Sequence, residues 1–110
     1  MTDLSQAARE QLAAARSAEN GRNAKLVVHD GVLRQSLIAL AAGTELGEHS
    51  SPPAASIYVL EGRVQVTGFD QPVIAAGEIT VLTHERHAVL ALEDSVFLLT
   101  TVTGVPTAEA

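Results

Sequence analysis

Two histidines in this chain sit where strand chemistry can use them. His49 closes the extended piece TELGEH, and His87 opens the apolar run HAVLAL. An imidazole can ligate a metal, move a proton or hold a polar ligand by hydrogen bonds. Around the first lie Glu48, Ser51 and Ala55; before the second lie His84 and Glu85, in THER. Glu48 neighbours His49 on an extended segment, so it faces the other way. Glu85 sits in a turn from which it can bend inward. His84, three residues before His87, reads first as a solvent-facing loop residue and second as a ligand at the same cavity mouth. No cysteine occurs anywhere, which removes thiolate metal sites, thiol nucleophiles and disulfides.

These residues need strands to carry them. Alternation puts His49 and Ser51 on one face; Ala55, Ile57 and Val59 share a face of the next strand, with Tyr58 and Leu60 on the other. His87, Val89 and Ala91 share a face of a later strand. Two imidazoles alone make a thin metal site, since structural and catalytic centres use three or four protein ligands. A two-histidine, one-carboxylate face is the least that non-haem iron oxygenases use. The other reading is a pair of pocket histidines hydrogen-bonded to water, Ser51 or a ligand.

Taken in order, residues 3–19 read as a helix. Asp3 is its cap, Gln6 stands in the capping-box position, and Asn20-Gly21 is its stop. Leu4, Ala8, Leu12 and Ala15 give it one thin apolar face, so it must lean on something larger. KLVVHD and VLRQSLIAL follow as strands around an Asp30-Gly31 hairpin signal. His29 before that turn reads as exposed or turn-bonded. Ala42-Gly43 breaks the chain and SSPP forces a loop. SIYVL and RVQVTG read as partners across a tight Glu61-Gly62 turn, and PVIAAG, EITVL, HAVLAL and SVFLLTTV complete the set. Eight or nine short strands with turns every eight residues or so describe an all-β sandwich or barrel with an N-terminal helix. The expected division is a helical arm over 1–24, a barrel over 25–103 and a flexible tail over 104–110.

The chain has 110 residues, room for one domain, and 46% of them are hydrophobic while only 3% are aromatic. The net charge of −6 is scattered, with no basic stripe for nucleic acid. No apolar run reaches membrane-spanning length. MTDLSQAARE lacks the basic and apolar regions of a signal peptide, so a soluble cytoplasmic protein is the expectation. Tyr58, Leu60 and the outward residues of SVFLLTTV leave apolar surface that a second subunit would cover, which predicts a homodimer.

The stretch GTELGEHSSPPAASIYVLEG resembles the first motif of the small single-domain cupins of the cupin-2 conserved-barrel type. AAGEITVLTHERHAVLAL resembles the second. The resemblance covers about residues 25–103. It implies a jelly-roll β-barrel, the double-stranded β-helix, in which His49 and His87 look at each other across one cavity. Gly43, His49 and Gly62 match the first motif, and Gly77 and His87 the second. Where metal-binding members place a second histidine and a glutamate, this chain has Ser51 and Ala55. The metal-ligand set is degenerate in this comparison.

Three functions follow as expectations. The first is the binding of a small organic molecule, in a cavity lined by His49, Ser51, Ala55, Ile57, Val59, His87 and Val89. The second is a metal-dependent enzyme of the dioxygenase or isomerase kind. There His49 and His87 would hold a divalent zinc, manganese, iron or nickel ion, with His84 and Glu85 as accessory residues. The third is an interaction domain with no site. The fold does not choose among them.

Overall fold

The computed structural model describes residues 1–49, 54–67, 72–82 and 87–102. One helix, α1 (Leu4–Ser17), precedes nine strands among those residues. They are β1 (Arg22–Asp30), β2 (Leu33–Leu40), β3 (Glu45–His49), β4 (Ala54–Glu61) and β5 (Arg63–Val66), then β6 (Val73–Ala75), β7 (Ile79–Leu82), β8 (His87–Ala91) and β9 (Ser95–Val102). They form two antiparallel sheets, one in the order β1-β2-β9-β4-β7 and the other in the order β3-β8-β5-β6. No helix among the described residues is long and apolar enough to cross a membrane.

Local chemistry sets the first elements. The Asp3 carboxylate accepts the Gln6 backbone N–H at 3.2 Å, as an N-cap should. The Gln6 side chain does not reach back to close a capping box; it donates to Glu10. The helix ends at Ser17, with Ala18 already extended, and β1 begins at Arg22. Gly21, with φ of +71°, turns the chain between them where a Cβ would strike Thr44. Asp30 pairs with Leu33, so Gly31 and Val32 are the two hairpin residues, and Gly31 takes the positive φ of +58°.

Alternation then sorts the apolar residues into two cores. Ile38, Leu40, Ile57, Val59, Val64, Val66, Ile74, Val89, Ala91 and Phe97 fill the space between the sheets. The opposite faces of β2, β4 and β9 present Leu37, Ala39, Leu60, Val96 and Leu98 to Ala7, Ala8, Leu12 and Ala15 of α1. The helix therefore packs on the outside of the larger sheet. It covers Leu60 and Leu98, part of the surface that pointed to a second subunit. Tyr58 stays half-buried, while Ile79 and Val81 on β7 are 66% and 72% exposed.

One sequence expectation is corrected. Glu61-Gly62 does not close a hairpin, because β4 belongs to the five-stranded sheet and β5 to the four-stranded one. The chain turns a corner there and crosses from sheet to sheet. Gly62 has φ of +81°, and a Cβ on it would lie 2.3 Å from both the Asp94 carbonyl and Ser95 Oγ. The same Ser95 hydroxyl accepts the Arg63 N–H at 3.1 Å and lies 2.7 Å from the Glu93 carbonyl. Ser95, fully buried, is thus the polar pin of the corner. A local reading sees a tight turn in both cases; only the partner strands distinguish a corner from a hairpin.

Candidate functional site

β3 and β8 pair antiparallel, with Glu45 opposite Leu90 and Leu46 opposite Val89. Continued evenly, that register would set Glu48 against His87. It does not continue evenly. The register shifts between Leu46 and His49, and His49 becomes the partner of His87. A one-residue bulge has this effect, and Gly47 lies inside it. Val89 and Ala91 are buried between the sheets, so alternation gives position 87 the inner face of β8. Opposite positions of an antiparallel pair share a face, so position 49 shares it.

The larger sheet supplies the facing wall. Its registers run without a slip across β2, β9, β4 and β7 at this end of the barrel. Ser36 pairs with Leu99, Leu99 with Ile57, and Ile57 with Thr80. One layer further out, Arg34 pairs with Thr101, Thr101 with Ala55, and Ala55 with Leu82. His29 on β1 joins this outer row opposite Arg34. The inner face therefore grades from hydrocarbon to polar. Ile57, Val59 and Phe97 are fully buried, Ser36, Ala55, Leu82, Leu99 and Thr101 are half-buried, and His29 and Arg34 are exposed.

The histidine pair lies at the same end. The backbone of Ala91 bonds to Gly43 and Thr44, in the turn that follows β2. His87 is four residues from Ala91 and Arg34 six from Leu40, so the row of Arg34 lies about 7 Å nearer the mouth.

The expected pocket residues separate into three groups. His49 and His87 are brought into register, and Ala55 stands at the rim of the facing wall. Ile57, Val59 and Val89 belong to the packed core, where they form the base beneath the mouth. Ser51, His84 and Glu85 lie outside the described residues. His29, read from the sequence as exposed or turn-bonded, is exposed, but its place in this row was not foreseen, and Arg34, Ser36 and Thr101 were not among the expected pocket residues. The alternation through Ile38 and Leu40 was a signal for Arg34 and Ser36; the pairing of β1 was needed for His29.

The described part of the donor set falls short of what a resident metal needs. Among the described residues no three of His, Cys, Asp and Glu lie together as ligands. The positions at issue offer two imidazoles and an alanine where a carboxylate would complete the face. Neither described row of the facing wall holds a carboxylate.

No protein-family model matches the sequence, and no curated protein matches it. Solved structures do. An RmlC-like cupin from Desulfovibrio desulfuricans is 28% identical, with a TM-score of 0.64 over 74% of this chain and 81% of that one. A cupin superfamily protein from Desulfitobacterium hafniense is 19% identical, with a TM-score of 0.72 over 80% and 83%. An acetylacetone dioxygenase from Acinetobacter johnsonii is 15% identical, with a TM-score of 0.67 over 76% of this chain and 61% of that one. At the two lower identities the likeness is of fold alone. With two antiparallel sheets closed around one core and a helix on the outside, this chain folds as a small single-domain cupin.

Proposed function

We propose that this chain binds a small organic molecule at the mouth of its barrel, with metal binding weakened or lost. The carrying observation is the register that pairs His49 with His87 while Ala55 takes the facing rim. Two imidazoles beside an apolar base suit a ligand with one polar end and a short hydrocarbon body. Histidine supplies both a donor and an acceptor without needing a metal between. The dioxygenase shares the fold at an identity that carries no chemistry to this chain.

The test restores what is absent. Ser51→His with Ala55→Glu completes the ligand set that the family motif describes. Calorimetric titration with zinc, manganese and ferrous iron should show micromolar or tighter binding by the double variant, and at least tenfold weaker binding by the wild type. His87→Ala in the double variant should abolish it. A stoichiometric metal in the untagged wild-type protein, or wild-type affinity equal to the variant's, overturns the proposal in favour of a metal-dependent enzyme.

A further inference from the structure

We propose that the ligand is an organic anion, a small carboxylic acid, and that Arg34 is its charged partner. This rests on the barrel-mouth reading above and names its ligand class. Arg34 occupies the same cross-strand row as Ala55, one strand from Thr101 and two from Ala55, about 5 and 10 Å away. Where a metal site wants a carboxylate, this row carries a guanidinium. That group cannot coordinate a cation, and its charge opposes one. It matches a carboxylate through two parallel N–H donors.

Arg34 is also uncommitted among the described residues. The two ion pairs found there use Arg16 with Asp94 and Arg63 with Glu93. Its neighbour across β1 is His29, a second basic group in the same row. No acidic residue stands in that row or in the next one inward, through Ser36, Leu99, Ile57 and Thr80. The chain as a whole carries a net charge of −6, so a stretch of the inner wall with basic and no acidic residues runs against the composition. The Ser36 and Thr101 hydroxyls add neutral donors. Ile57, fully buried, and Leu99, half-buried, supply an apolar base for the body of the ligand.

The experiment uses the full chain and three matched probe pairs: butyrate and butyramide, benzoate and benzamide, succinate and succinamide. Binding is read by calorimetry and by amide chemical shifts. At least one acid should bind saturably, moving the amides of Ser36 and Thr101, and its amide analogue should bind at least tenfold more weakly. Arg34→Gln should weaken the acid about tenfold and leave the melting temperature unchanged, since Arg34 is exposed. Arg34→Lys should retain part of the affinity. Arg22→Gln, on the same edge strand as His29 but at its other end, should change nothing.

An amide that binds as tightly as its acid overturns the inference, and so does wild-type affinity in Arg34→Gln. Both results leave the barrel-mouth reading standing. Failure of all three acids to bind at millimolar concentration also overturns it. Shifts confined to residues away from Ser36, Thr101 and Val89 would refute both the anion partner and the barrel-mouth site.

Discussion

Gly31 and Gly62 both hold a positive φ, at +58° and +81°, but for different reasons. Nothing lies within 4 Å of a Cβ built on Gly31, whereas on Gly62 it meets Asp94 and Ser95 at 2.3 Å. Gly31→Ala then carries only the backbone penalty, about 1 kcal/mol. Gly62→Ala adds a clash with backbone that cannot move without opening the corner between the sheets. We expect it to cost at least about 3 kcal/mol. Urea unfolding of both variants checks this, and equal losses would show that the corner yields freely. The same contrast was only partly visible in the residues themselves. Both glycines announce a turn, but the neighbours that make one irreplaceable, Asp94 and Ser95, are far along the chain.

Helix α1 is held to the barrel by more than its apolar stripe. Near its end Arg16 donates to Asp94 at 2.8 Å, and the same carboxylate accepts the Ala42 backbone N–H at 2.8 Å. One side chain thus joins the helix, the β8–β9 turn and the turn before β3. The Ala42 N–H first, and the Arg16 hydrogen bond second, hold the Asp94 carboxyl below the usual carboxylate range. The folded value is depressed, so the contribution is complete above the unfolded carboxyl's range and is lost as the pH falls through the folded one. Wild type should therefore lose melting temperature below about pH 4, with Asp94→Asn following a flatter acid limb. Thermal melts from neutral to acidic pH measure the difference. Parallel curves would show that this carboxylate carries no share of the acid sensitivity. The cap at Asp3 was legible, because an N-cap and its partner are three residues apart. The Asp94 tie was not, because its partners lie at positions 16 and 42.

For the whole molecule, the helix hides only one half of the larger sheet's outer face. It packs over β1, β2 and part of β9. The β4–β7 half keeps half-buried Tyr58 beside Ile79, with Val81 two residues along the edge strand. Ile79 and Val81 are 66% and 72% exposed, on the strand that ends the five-stranded sheet among the described residues. We propose that the homodimer expected from the sequence forms here rather than over Leu60, which α1 covers. Light scattering at micromolar concentration should give about twice the chain mass for wild type. Val81→Lys should give a monomer with an unchanged fold. A monomeric wild type, or a dimer indifferent to this change, would remove the proposal.

By itself the sequence determined the features that depend on near neighbours. Asp3 starts the helix, Gly31 turns the first hairpin, and alternation along SIYVL and RVQV makes strands with one buried face. The motif glycines and histidines added the jelly-roll family. Tertiary structure alone decided three things. It made Gly62 a corner between sheets instead of a hairpin. It placed a bulge in β3 that sets His49, not Glu48, opposite His87. It gathered His29, Arg34, Thr101, Ala55 and Leu82 into one row at the barrel mouth. The reason is the same in each case. Alternation tells which residues of a strand share a face, but register is a relation between strands distant in sequence. A slip of one residue exchanges the faces, and only the packed sheets fix it.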